Sequence, residues 1–529
     1  MPNSYLKTEF QRALASKSRR GIKAPCIAIL GTGSDVGKSV ITTALCRLFS
    51  NRGIRAAPFK AQNMSNNSGV TPEGLEMGRS QIVQAEAARI PPHVDMNPVL
   101  LKPTAEIGSQ IVLAGFALGT TTAAAYQGKN DRLFKEACEA LDRLRRDYEL
   151  IVLEGAGSCA EVNLMSHDIV NFRMADYADA PILLVADIDR GGVFAQIIGT
   201  LECLEQKQRA RVKGFIINRF RGDIHLFKDG IRWIEEKTHK QVFGVMPWYS
   251  HIRIEPEDSV VIESPKKVNA ENSRHPAVAV IRLPHISNFT DFDPLLALNY
   301  LDLYFLEKVQ PLAAFKAVIL PGSKNTRFDL KWIISSGWAK ALSDYLTAGG
   351  HLLGICGGYQ MMGAIVHDPQ GLEGQPGSSD GLRLLPIETV LTAPKTTTLT
   401  KFTWNGQPGA GYEIHMGQTS RAGDNPLFQI VERNNCRCQD EDGCVSGDSR
   451  IMGTYIHGLF DNPAILKLWL NQIGLKEIDV PAVGGIEARD RQYDLLAEHF
   501  EKYIDVQSIV KLAKVGRKRS ENIGPRTEC

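Results

Sequence analysis

The chain has 529 residues, 43% of them hydrophobic and 23% charged, the balance of a folded globular protein with room for two large domains or three to four small ones. No apolar run approaches the roughly 20 residues of a bilayer helix, so no membrane partner is expected. The formal charge of +2 conceals an asymmetry: residues 1–24 carry six Lys/Arg against Glu9, residues 511–529 carry six against two acids, and the remainder is net −7 with 49 basic and 56 acidic residues. That body predicts no nucleic-acid partner.

In chain order, residues 1–24 are basic, lack the apolar core of a secretory signal and read as a solvated extension. Short apolar runs then recur, each followed by a turn and a helix-like segment: CIAIL (26–30), ELIVLEG (149–155), APILLVAD (180–187) and VKGFIIN (212–218), then AVAVIRL (277–283), KAVILPG (316–322) and HLLGICGG (351–358). Continuous rather than alternating apolar residues imply strands buried on both faces, hence an α/β protein of two doubly wound parallel sheets. The polar stretch 263–276 separates the two series and reads as a linker between domains spanning 25–262 and 277–510, with a basic tail at 511–529. Ten cysteines without regular spacing read as reduced thiols of a cytoplasmic protein. The Cys436, Cys438 and Cys444 group lacks the fourth ligand and wider pairing of a zinc site.

The first strand leads into Gly31-Thr32-Gly33-Ser34-Asp35-Val36-Gly37-Lys38-Ser39 and then a helix. Glycines let backbone N–H groups face an anion, Lys38 bridges β- and γ-phosphates, and Ser39 offers a hydroxyl to Mg²⁺. Thr32 stands where a P-loop has its first glycine. Glu154 ends a later strand and is either a helix-capping carboxylate or, as the resemblance of this loop to dethiobiotin synthetase-like ATPases implies, a second magnesium ligand or water-holder. Asn218 also ends a strand and so falls near the nucleotide. In the second half, Cys356 lies between a buried strand and a helix and is followed by Gly357 and Gly358, a setting that favours thiolate and oxyanion donors. His457 ends another strand and is the candidate base.

The loop 31–39 resembles that of dethiobiotin synthetase-like ATPases, in which Asn218 would read the adenine. Cys356 with His457 resembles class I glutamine amidotransferases, with Gly322, Gly357, Gly358 and Gln360 forming the oxyanion and glutamine pocket. The glutamate usually found two residues after the histidine is Leu459 here, so orientation of His457 must come from another carboxylate, a backbone carbonyl or water. This matches the triad-deficient subgroup that amidates cobalamin precursors and argues against CTP synthase. PFKAQNMSNNS (58–68), VDMNPVLLKPT (94–104), ADIDRGGVFA (186–195), RLPHISNFTDFDPL (282–295), PGSKNT (321–326), GYEIHMG (411–417) and GTYIHGLF (453–460) occur in order across both halves and resemble the cobyric acid synthase family.

The resemblance implies ATP, Mg²⁺ and glutamine as ammonia donor, cobalt only within the corrinoid, and amidation of four peripheral carboxylates of adenosylcobyrinic acid a,c-diamide. It leaves weaker expectations. Lys60 and Asn63 hold corrinoid amides and carboxylates or belong to a plain solvated loop. Asp168 positions substrate or is an N-cap, and Arg190 contacts phosphate or carboxylate or pairs with Asp187. Tyr412, Glu413 and His415 shape the glutamine pocket, with His415 structural rather than a second base. The competing readings are cobyrinic acid a,c-diamide synthase and a regulatory ATPase of the MinD type.

Overall fold

The computed structural model describes residues 23–105, 108–122, 130–255, 274–423 and 425–520; the N-terminal extension up to 22, the linker residues 263–273 and the tail after 520 lie outside them. The first domain is built on β1 (Cys26–Gly31), α1 (Lys38–Asn51), β2 (Ala56–Phe59), α2 (Arg79–Ala87), β3 (Val99–Ala105), β4 (Leu150–Glu154), β5 (Ile182–Asp187), β6 (Val212–Phe220) and β7 (Gln241–Pro247). Six of these strands form one sheet in the order β7-β6-β5-β1-β4-β2, every neighbouring pair parallel. Alternate residues of the same apolar run serve opposite faces: Ala28 and Leu30 join one core, Ile27 and Ile29 the other. This two-sided burial is why the strand shows no polar alternation. Strand β3 lies outside that sheet, in a smaller one with Gln62–Met64, Gly108–Leu113 and Phe116–Thr122.

The second domain repeats the architecture with β8 (Ala277–Ile281), β9 (Asp302–Leu306), β10 (Phe315–Leu320), α3 (Thr326–Ser336), β11 (Leu352–Ile355), α4 (Gly357–Met361), β12 (Cys444–Val445) and β13 (Ile451–Thr454). The sheet order is β9-β8-β10-β11-β13-β12, parallel except for the antiparallel β12. Two further four-stranded sheets belong to this half, one antiparallel and containing strand Gln407–His415, the other mixed, with Ile365–Asp368 parallel to Ile387–Val390. The ligand-bearing ends of both parallel sheets carry the predicted sites, as parallel strands require.

The chain end departs from the expected boundary at 510. Helices α5 (Gly485–Tyr503) and α6 (Val506–Ser520) return to the first domain. Tyr493, Leu496, Phe500, Ile504, Val506, Ile509 and Ala513 share a core with Ile27, Ile29 and Leu45. The basic character of 511–529 hid an apolar stripe whose last described member, Ala513, is 3% exposed. Among the described residues no helix is long and apolar enough to cross a membrane.

Candidate active sites

At the end of β1 the chain turns through 32–37 into α1, which begins after Gly37 with no side-chain cap. Gly37 has φ +96°, and a Cβ there would meet Asn218 Nδ2 at 2.1 Å, so glycine is required by conformation and by space. Uncapped N–H groups at the start of a 14-residue helix suit an anion. Lys38 Nζ donates to the carbonyls of Gly33 (3.1 Å) and Gly157 (2.8 Å), which folds its ammonium back over the loop. Ser39 Oγ donates to Glu154 Oε1 at 2.8 Å, and Lys60 Nζ pairs with the same oxygen at 3.0 Å. Gln84 Nε2 donates to the other carboxylate oxygen. Thus Glu154 is not a helix cap. It stands beside Ser39 at the foot of the loop, neutralised by a lysine 3% exposed.

A hydroxyl and a carboxylate are hard oxygen donors of the kind Mg²⁺ takes one or two of, the rest coming from phosphate and water. Among the described residues no group of three or more His, Cys, Asp or Glu side chains is arranged to hold a metal ion. Ser39 and Glu154 therefore fit magnesium delivered with a nucleotide.

The weaker candidates turn inward. Asn218 Nδ2 donates to the Val36 carbonyl at 3.0 Å and so buttresses the phosphate loop. Lys60 is engaged by Glu154 rather than presented to a ligand. Asn63 is 2% exposed and bonds Ser80 and Gln81; this segment is packed, not a solvated loop. Asp168 accepts from the N–H groups of Val170 (2.8 Å) and Asn171 (3.1 Å) in the turn before the helix Phe172–Tyr177, whose N-cap is Asn171 rather than Asp168. Arg190 pairs with Asp35 of the phosphate loop at 3.2 Å, not with Asp187, which Arg219 takes at 2.9 Å.

The second site forms where β11 meets α4. Cys356 sits at φ 50°, ψ −110°, a left-handed conformation unusual for a side-chain-bearing residue and typical of a nucleophile turn. Gly358 cannot be replaced there, because a Cβ would meet the Leu320 carbonyl oxygen at 2.1 Å. A Cβ on Gly322 would lie 3.1 Å from His457 Cε1, which places this backbone against the base. Cys356 Sγ donates to the Ile414 carbonyl at 3.5 Å and shares the pocket with His457. His457 exchanges backbone hydrogen bonds with Tyr412 and stacks on its ring at 5.3 Å.

The missing carboxylate is Asp291. Its Oδ2 lies 2.6 Å from His457 Nδ1 and its Oδ1 accepts the Gly458 N–H at 2.9 Å; His457 is 1% and Asp291 3% exposed. Burial alone would depress the imidazole, but Asp291 and the Cys356 sulfur overcome it and push His457 up to about 10. The arrangement favours a protonated His457 beside the Cys356 sulfur. Sequence reading missed Asp291 because it lies 166 residues before the histidine, in a 3-10 turn (Phe289–Phe292) after β8.

Gln360 lines the pocket, yet its amide is engaged by Thr326, Met416 and Tyr455, so it shapes the wall. His415 is held between Glu413 and the Gly417 carbonyl and stacks on Tyr455 at 3.7 Å, a structural role as expected. The first domain also reaches this site. Lys102 of β3 lines the Cys356 pocket, Ser68 N–H donates to Asn288 (3.2 Å) and Thr290 to Asn67 (3.2 Å).

Two family models match the chain: a CobQ/CobB/MinD/ParA nucleotide binding domain over residues 27–260 and a CobB/CobQ-like glutamine amidotransferase domain over 277–465. The chain is 50% identical over 497 residues to cobyric acid synthase of Chlorobium phaeobacteroides (strain BS1), covering 93% of this chain and 99% of that protein. It is 49% identical over 491 residues to the protein of that name in Chlorobaculum tepidum, covering 92% and 97%. Against the one in Yersinia enterocolitica it is 46% identical over 506 residues, covering 92% and 98%. With a nucleotide loop, a cysteine–histidine centre and likeness across both domains, the chain belongs to the cobyric acid synthase family, ATP-dependent, glutamine-hydrolysing amidoligases of cobalamin biosynthesis.

Proposed function

We propose that this enzyme converts adenosylcobyrinic acid a,c-diamide to adenosylcobyric acid by amidating the b, d, e and g carboxylates, with ATP, Mg²⁺ and glutamine. A carboxylate does not react with ammonia at neutral pH. Transfer of the γ-phosphoryl to it makes an acyl phosphate with a good leaving group, and Lys38 balances charge on the transferring group. Ser39 and Glu154 would hold the magnesium ion, which supplies charge neutralisation on the phosphates. Lys60 pairs with Glu154 in its buried position.

In the second domain the Cys356 thiolate attacks the glutamine amide carbon. Backbone N–H groups near Gly322 and Gly357 stabilise the oxyanion. The His457 imidazolium, held by Asp291, gives its proton to the departing ammonia. Water then hydrolyses the thioester to glutamate. Ammonia must reach the acyl phosphate unprotonated, which favours an enclosed route between domains.

The observation that carries this reading is the Cys356–His457–Asp291 constellation in one chain with a phosphate loop whose Ser39 touches Glu154. Scattered free cysteines support a cytoplasmic setting, and all reactants are small molecules. The test offers the a,c-diamide with ATP and glutamine and counts amides by mass. Four new amides are expected; no amidation of the diamide would point to cobyrinic acid a,c-diamide synthase instead.

A further inference from the structure

The Cys356 pocket holds charged groups that the thiol chemistry leaves unused. Lys102, Lys324, Lys395 and Glu373 line it together with Cys356 and His457. Two of the ammonium groups share one counter-ion. Lys102 Nζ donates to Glu76 Oε1 at 2.8 Å and to Ser68 Oγ at 2.8 Å, and Lys395 Nζ donates to Glu76 Oε2 at 2.6 Å. Glu76 is 1% exposed and the two lysines 3% and 9%, so one buried carboxylate serves two lysines, and burial holds Lys395 down at about 7.

Lys324 differs. Among the described residues its ammonium has no hydrogen-bond or ion-pair partner. Its backbone is fixed by an N–H bond to the His285 carbonyl at 2.9 Å, between Ser323, which bonds Asp329 at 2.6 Å, and Asn325, which caps α3. Glu373 uses Oε2 to accept the Arg327 N–H at 3.0 Å and interacts electrostatically with Lys324. A confined, unneutralised cation beside an anion calls for a ligand carrying both charges. Glutamine is such a ligand: with its side-chain amide at Cys356, its α-carboxylate and α-ammonium stand two methylenes away.

We propose that Lys324 binds the α-carboxylate of glutamine, with Lys102 and Lys395 behind it as a positive wall anchored on Glu76, and that Glu373 receives the α-ammonium group. The first domain, through β3, thereby closes the glutamine pocket of the second. This assignment rests on reading Cys356 as the glutaminase nucleophile.

The test measures ammonia release, without corrinoid, from L-glutamine and from L-glutaminamide, in which a neutral amide replaces the α-carboxylate so that side-chain hydrolysis yields isoglutamine. The unaltered enzyme should prefer glutamine by about 100-fold in kcat/KM, since a buried charged site strongly rejects an analogue lacking the partner group. Lys324→Met should lower kcat/KM for glutamine by about 100-fold, mainly through KM, and leave glutaminamide within threefold. Lys324→Arg should recover most of the preference, and Lys102→Met should raise the glutamine KM by about tenfold. Equal loss on both substrates, as a thiolate-stabilising or purely structural lysine would give, overturns the proposal. So does an unaltered enzyme that does not discriminate, even if the variants fail to fold. Cys356→Ala separates the two readings: persistent ammonia release from it sinks the nucleophile assignment, whereas its loss alongside unchanged selectivity in Lys324→Met sinks the carboxylate site alone.

Discussion

Asp291→Asn keeps the shape of the side chain that holds His457 and removes its charge. Two full charges 2.6 Å apart at an effective dielectric of about 20 attract by about 6 kcal/mol. The asparagine retains a neutral hydrogen bond and relieves a buried anion, so about half of that is lost as stabilisation of the imidazolium, about 3 kcal/mol or 10²-fold in rate. The assay is glutamate release at saturating glutamine. A pH profile adds a second readout. Since His457 is pushed up to about 10, its protonated form persists through neutral pH and is lost as pH rises through that value; activity that needs the imidazolium falls there. Without the Asp291 carboxylate the alkaline limb moves to lower pH. Glutaminase activity within threefold of the unaltered enzyme, with an unmoved limb, would refute the role assigned to Asp291.

Three further outcomes are expected. Glu154→Gln breaks a buried ion pair with Lys60 and removes a carboxylate oxygen for the metal; it should cost about 3–5 kcal/mol in chemical denaturation and abolish ATP-dependent amidation while glutamate release continues. Truncation after Asp505 strips Val506, Ile509 and Ala513 from the core behind β1, about 4–6 kcal/mol of burial, and should lower the melting temperature and weaken ATP binding, measured by calorimetry. Gly358→Ala drives a methyl carbon onto the Leu320 carbonyl and should abolish alkylation of Cys356 by iodoacetamide, read by peptide mass.

Both parallel sheets were legible because burial on two faces writes continuous apolar runs, and both reaction centres because each sits in a local strand–loop–helix motif. The contributors that escaped act over distance. Asp291 meets His457 only through tertiary folding, and Lys102 joins the cysteine pocket from the other domain. No spacing rule reaches either. The polar neighbours of Lys60 and Asn63 leave them facing a ligand or lying in a solvated loop, yet polar residues also build buried networks when each finds a partner, here Glu154, Ser80 and Gln81. The C-terminal helix was misread as a tail because its lysines and arginines outnumber the few apolar residues that anchor it.

The division of labour between the two domains is tested most directly by Cys356→Ala, given ATP and the corrinoid diamide with either glutamine or ammonium as nitrogen source and followed by product mass. The account predicts amidation from ammonium and none from glutamine; loss of both, or survival of the glutamine reaction, would contradict it.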